Sequence, residues 1–288
     1  MTTLEFGPLH PSLAAQVVGF DPERGFARDD VTAIKAALSQ FAVLVIRATP
    51  LTDGQLVSFG TAFGELELLP EPEKRDPEHP EIFNLSNVRP DGDLTEFEEP
   101  QAVFLRGTER WHTDSSYRES PCLASILHAR EIPQQGGSTQ FANMVAAYEA
   151  LDDEHRQSLA GRRVIHSYEY SRSMNPGRME PMDDAERAKF PPVVHPLVRR
   201  HADGSKSLYM GAHASHIEGE PTDVGRAMLS DLLDEATQDA FIYEHYWSVG
   251  DTVVWDNRRT LHRLRPYPIQ RERRVMRRLT VADAAPVF

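Results

Sequence analysis

From Trp111 onward the chain alternates between short apolar runs and the residues that end them. LASILHAR, STQFANM, RRVIHSY, VVHPLVRR, SLYMGAH, IYEHYWSVG, TVVWDN and RRVMRRLTV are each of strand length, with Gly, Pro or Asp punctuating the sequence around them. Two helical stretches interrupt the series, MVAAYEALDDEHRQSLAG and TDVGRAMLSDLLDEATQ. Many short strands with a few helical insertions predict a mainly β chain with flanking helices, a sandwich or jelly roll. A parallel dinucleotide-binding sheet is disfavoured, because no glycine-rich strand-to-helix turn is present.

The first hundred residues read differently. DDVTAIKAALSQF spaces Val31, Ile34, Ala37, Leu38 and Phe41 at helical intervals, AVLVIRA follows as a buried strand, and LTDGQLVSFGTAFG starts a second helix that ends near Gly64. Residues 65–110 are rich in Pro, Glu and Asp around one apolar patch, IFNLSNV, and predict a long loop or mobile lid. No linker and no internal repeat divides the sequence. Residues 1–288 therefore read as one domain carrying a lid-like segment at 65–110.

A formal net charge of −13 argues against nucleic acid or an anionic membrane as the main partner, since both reward clustered Lys and Arg. It leaves room for a small anion held in a local basic pocket. The opening MTTLEFGPLHPSL shows no export or transit pattern, and no apolar run reaches membrane-spanning length, so the expectation is a soluble cytoplasmic protein. Homo-oligomers stay open. The single cysteine, Cys122, reads as a small buried apolar residue, and any metal site would need histidine and carboxylate ligands.

WHTDSSY offers such ligands. In an extended chain His112 and Asp114 point to one face, although two polar residues bracketing a third also suit an ordinary loop. Downstream, VGDTVVWDNRRTLHRLRPY carries an apolar strand through a polar turn into His262. Two histidines and one carboxylate can occupy one face of an octahedral Fe(II) and leave the other open. Next comes RERRVMRRLTV, where Arg274 and Arg278 share a strand face with Met276 between them. Burying guanidinium groups is costly unless anions satisfy them, and two carboxylate ligands would do so. On a solvated edge strand they would need none, as expected of Arg271, Arg273 and Arg277.

WHTDSSY, GGSTQFANM, GAHASHIEG, GDTVVWDNRRTLHR and RRVMRRLT together resemble the taurine and 2,4-dichlorophenoxyacetate group of Fe(II)/2-oxoglutarate-dependent dioxygenases. The likeness covers nearly the whole chain and leans to the 2,4-dichlorophenoxyacetate, or aryloxyalkanoate, side. It implies a double-stranded β-helix core, with His112, Asp114 and His262 as the metal-binding and catalytic triad. The hydroxyl of Thr139 and the guanidinium of Arg274 would bind the distal carboxylate of 2-oxoglutarate. The interval from His262 is one residue longer than the family pattern, which makes Arg273 a rival. Arg278 would meet the anionic group of the prime substrate and His213 would line its pocket, with His216 either a pocket or a structural residue.

The implied reaction takes Fe(II), O2 and 2-oxoglutarate and releases succinate and CO2 while a small anionic substrate is hydroxylated. An aryloxyalkanoate would become a hemiacetal that falls apart to a phenol and an oxo acid, a chemistry of herbicide degradation. Alternatives are the same reaction on a sulfonate or sulfate ester such as taurine, and a non-catalytic metal-binding jelly roll. Outside these motifs, His128, His166, His195 and His245 read as core histidines, and Trp255 and Asp256 as braces for the turn before His262.

Overall fold

Two sheets face each other across one apolar layer. The larger has seven strands in the order β1 (Glu5–Pro8), β2 (Ala15–Val18), β3 (Val43–Ile46), β13 (Thr252–Asp256), β5 (Cys122–Glu131), β15 (Val275–Ala282) and β4 (Phe83–Ser86). This is a computed structural model, and it describes residues 4–69, 72–177 and 180–283. Strand alternation sorts the side chains of this sheet into two cores. Leu44, Ile126, Val254 and Leu279 face outward onto α1 (Arg28–Phe41) and α2 (Asp53–Thr61). Val45, Leu127, Val253 and Met276 face inward.

The inward layer meets a three-stranded sheet, β12 (Ile242–His245), β6 (Thr139–Asn143) and β14 (Thr260–Leu264), through Phe141 and Tyr243. Phe141 and Trp255 are almost fully buried there, and truncating either to alanine would cost about 3–5 kcal/mol. Ala142 and Leu261 point the other way, into a core shared with α4 (Met144–Ala150) and α8 (Thr222–Ala236). A third sheet, β11 (Ala214–Ile217), β7 (Arg163–His166) and β8 (Val193–Pro196), and a hairpin of β9 (Val198–Arg200) and β10 (Lys206–Leu208) extend this side. Short helices α3 (Pro100–Gly107), α5 (Asp153–Leu159), α6 (Tyr168–Ser173) and α7 (Asp184–Lys189) fill the connections. Helix and strand hold similar numbers of the described residues, so the architecture is mixed α/β, richer in helix than the strand-dominated expectation.

Local chemistry explains where single runs divide. MVAAYEALDDEHRQSLAG becomes two helices because Leu151 is extended and the Asp152 carboxylate accepts from the His155 N–H, starting α5 afresh. VVHPLVRR splits at Leu197, whose N–H and C=O bond to Arg162 and Tyr209 rather than continuing one ladder. The acidic segment 65–110 contains β4 and α3, and β4 pairs with β15 so that Phe83 lies opposite Arg278. Among the described residues no helix is long and apolar enough to cross a membrane.

Candidate active site

His262 lies on β14 opposite Phe141 and faces the inner core, with the Trp255 ring 4.7 Å from its own. His112 reaches it through a two-way backbone bridge: the His112 N–H donates to the His262 carbonyl at 3.0 Å, and the reverse bond is 2.8 Å. Their rings sit 4.1 Å apart. Two residues on, the Asp114 N–H donates to Asn257 Oδ1 at 3.2 Å and Thr113 Oγ1 donates to the Asn257 carbonyl at 2.6 Å. These bonds turn Asp114 toward the histidines. His112 Nε2 is 3.9 Å from Asp114 Oδ1, His262 Nε2 is 3.7 Å from Oδ2, and one ligand atom from each residue lies within 4.8 Å of the others.

The protonation states suit a divalent cation. A carbonyl oxygen only accepts, so the 2.8 Å contact of His112 Nδ1 with the Arg110 carbonyl puts the ring proton on Nδ1 and leaves the Nε2 lone pair toward Asp114. Burial is the main reason both histidines stay below their ordinary pKa and neutral. Burial also opposes ionisation of Asp114. The Arg278 guanidinium, 3.0 Å from Oδ2, outweighs it and holds this carboxyl well below the usual range. Two neutral imidazoles and one carboxylate form a donor set for a first-row divalent metal, and they fit Fe(II).

Asn257, absent from the sequence expectations, is the hub behind these ligands. Its Oδ1 accepts from the Asp114 N–H and from Trp255 Nε1 at 3.0 Å, and its Nδ2 donates to Ser125 Oγ at 2.9 Å. Ser125 in turn donates to Asp114 Oδ2 at 2.6 Å. The only sequence signal was its place in the DNRR turn after an apolar strand. Asp256 braces the same turn through Arg258, at 2.9 Å to Nε and 2.7 Å to Nη2.

A cavity of about 120 Å³ opens beside His112 and Asp114. Arg278 and His213 line it, as do the rings of Phe83, Phe104, Tyr117 and Tyr168. Burial first, and then His112, pushes the His213 imidazole down to about 3, and its Nδ1 lies 3.3 Å from Ser116 Oγ. His216 is not part of this lining; its Nδ1 sits 3.1 Å from Ser215 Oγ. His128, His166, His195 and His245 are buried, as is Cys122.

Arg274 and Thr139 lie off this cavity's lining. The Arg274 backbone N–H donates to Asn87 Oδ1 at 2.7 Å, while its buried guanidinium has no ion pair and no acceptor for Nε among the described residues. Burial pushes it down to about 10. A Cβ on Gly137, which has φ +69°, would lie 3.6 Å from Arg274 Cδ, so Arg274 packs against the turn that leads into Thr139 on β6. Thr139 Oγ1 accepts from Trp247 Nε1 at 3.0 Å. Arg273 instead turns outward, half exposed, to Glu131 at 2.6 and 3.2 Å. A buried cation without a counter-ion fits the carboxylate of an anionic cosubstrate.

Residues 5–280 match the family model described as taurine catabolism dioxygenase TauD, TfdA family. The chain is 39% identical over 283 residues to the alpha-ketoglutarate-dependent 2,4-dichlorophenoxyacetate dioxygenase of Cupriavidus pinatubonensis, covering 96% of this chain and 97% of that one. It is 35% identical over 249 residues to the (S)-phenoxypropionate/alpha-ketoglutarate-dioxygenase of Sphingobium herbicidovorans, covering 83% and 82%. Among solved structures, AAD-2 in complex with Mn(II) and N-oxalylglycine superposes with a TM-score of 0.90 at 36% identity, over 99% of both chains.

Proposed function

The chain belongs to the TauD/TfdA family of Fe(II)- and 2-oxoglutarate-dependent dioxygenases, and from that premise we propose that its prime substrate is an aryloxyalkanoate, cleaved to a phenol and an oxo acid. The observation that carries this reading is the cavity wall: aromatic rings from Tyr117, Tyr168, Phe83 and Phe104 share one space with arginine side chains and the Asp114 carboxylate. An aryl ring suits the former and a carboxylate head the arginines. The relatives named for 2,4-dichlorophenoxyacetate and phenoxypropionate support the same reading.

His112, Asp114 and His262 would hold Fe(II), and the buried Arg274 with the Thr139 hydroxyl would hold the distal carboxylate of 2-oxoglutarate. Bound iron supplies oxidation of a substrate carbon by O2, coupled to decarboxylation of 2-oxoglutarate to succinate and CO2. The chain's own part is placement and exclusion of water. Arg278 keeps Asp114 ionised and, as part of the cavity lining, would also meet the anionic group of the substrate. His213, held neutral by burial, is a hydrogen-bonding and aromatic wall rather than a second cation. We place the seven-stranded sheet and the β12–β6–β14 sheet as the two halves of a double-stranded β-helix, in one catalytic domain. Residues 65–110 supply Leu69, Phe83, Phe104 and Arg110 to the cavity and would cover a bound substrate.

The test is succinate release from 2-oxoglutarate by the Fe(II)-loaded protein, with and without candidate acids. Phenoxyacetates and phenoxypropionates should stimulate it and release a phenol. Stimulation by taurine or alkyl sulfates alone would overturn the substrate assignment.

A further inference from the structure

We propose that Arg110, acting beside Arg278, sets the preference for a carboxylate in the prime substrate. This rests on the aryloxyalkanoate reading above.

Three arginines line the cavity: Arg110, Arg172 and Arg278. Two of them already face carboxylates of the chain. Arg278 Nη2 is 3.0 Å from Asp114 Oδ2, and Arg172 Nη1 is 3.1 Å from Glu186 Oε1. Arg110 has no carboxylate within ion-pair distance among the described residues. Its Nη1 donates to the Ser171 carbonyl at 3.1 Å and its Nη2 to the Ala212 carbonyl at 3.4 Å. Those two neutral acceptors fix the direction of the guanidinium and use two of its five N–H donors. They do not neutralise its charge.

Position completes the argument. Arg110 stands two residues before His112, and its own carbonyl accepts from His112 Nδ1. Arg110, His112 and Asp114 line the same cavity of about 120 Å³, so a carboxylate held by Arg110 shares that small space with two metal donors. Tyr117 and Tyr168, whose rings are 4.9 Å apart, line the same cavity and offer walls for the aryl group. In an aryloxyacetate the carboxylate is bonded to the carbon that must be hydroxylated, so anchoring the head group sets which carbon faces the iron. Arg110 is partly buried with only neutral carbonyl acceptors on its guanidinium, and an incoming carboxylate compensates its charge by charge-assisted bonds. Arg278, with Asp114 already on it, offers less net charge to a second anion.

The experiment is calorimetric binding, without oxygen, of phenoxyacetate and its neutral isostere phenoxyacetamide to the protein loaded with Fe(II) and 2-oxoglutarate. The parent should prefer the acid by about 10- to 100-fold, the range of a charge-assisted contact. Arg110→Met should erase that preference while holding the amide within about twofold of the parent, and Arg110→Lys should keep most of it. Arg110→Gln, which retains donors for the two carbonyls, takes the place of the methionine variant if that one does not fold. An acid preference that survives removal of the charge, or equal losses for acid and amide, would overturn the role of Arg110 and leave the aryloxyalkanoate reading standing. If the parent binds neither compound, that reading fails and the role of Arg110 fails with it.

Discussion

Arg278, on β15, and Arg274, the residue just before that strand, stand four residues apart in surroundings that solve the buried-cation problem in opposite ways. Around Arg278 the chain supplies the anion itself: Asp114 lies 3.0 Å away and is further fixed by Ser125. Around Arg274 the chain supplies an asparagine, Asn87, for the backbone but, among the described residues, no carboxylate for the guanidinium. On the proposed assignment the difference tracks what each region would hold. A metal needs a carboxylate that is ionised before the metal arrives, whereas a pocket for an anionic cosubstrate stays unpaired until the ligand carboxylate enters.

The contrast is sharpest in paired substitutions. Arg278→Met should remove the main cation holding Asp114 ionised and leave that carboxyl buried without its partner, at a cost of about 3–5 kcal/mol in unfolding free energy. Arg274→Met should do the reverse in the ligand-free protein, with no loss and a gain of about 1 kcal/mol from removing an uncompensated charge. Urea titrations of the two variants check this. Equal destabilisation by both would erase the distinction.

Asn257→Ala tests the metal side alone. It removes acceptors for the Asp114 N–H and Trp255 Nε1 and the donor to Ser125, so Fe(II) affinity should drop about 10- to 100-fold. The 2-oxoglutarate side, with Arg274 anchored by Asn87, should keep its ligand affinity once iron is saturating.

The smallest effect sets a common baseline. Burial first, with Arg130 and Arg259 assisting, pushes His128 and His201 down to about 4, so each is neutral in the fold at pH 6. Between pH 6.5 and about 4 the unfolded chain binds more protons than the folded one, so their stabilising contribution is present above pH 6.5 and is lost as pH falls through that window. Neither residue belongs to the site. Parent, Arg274→Met and Arg278→Met should therefore lose stability in parallel across it, as followed by thermal melts.

Much of this contrast was legible in the sequence because it rests on local periodicity. The His-x-Asp spacing and the alternation through Arg274, Met276 and Arg278 need only an extended backbone to share a face. What the sequence hid was supplied by distant partners. Asn257 acts across to Asp114 and Ser125, and Asn87 across to Arg274, contacts that no run of neighbours encodes. Arg278 was legible as a cation facing substrate, but its contact with Asp114 was not, because spacing alone does not place the two together, and Arg110 read as the end of a loop. The helix break at Leu151 was written locally, in Asp152 as a cap, but was outweighed by the apolar pattern on either side.

The most direct measurement is an anaerobic titration of the Fe(II)-loaded protein with 2-oxoglutarate, followed by its visible charge-transfer absorption, in the parent, Arg274→Met and Arg273→Met. If Arg274 waits unpaired for the cosubstrate, its replacement should raise the half-saturating concentration about 100-fold or more, while Arg273→Met stays near the parent. An unchanged midpoint in Arg274→Met, or a displaced midpoint in Arg273→Met alone, would contradict it.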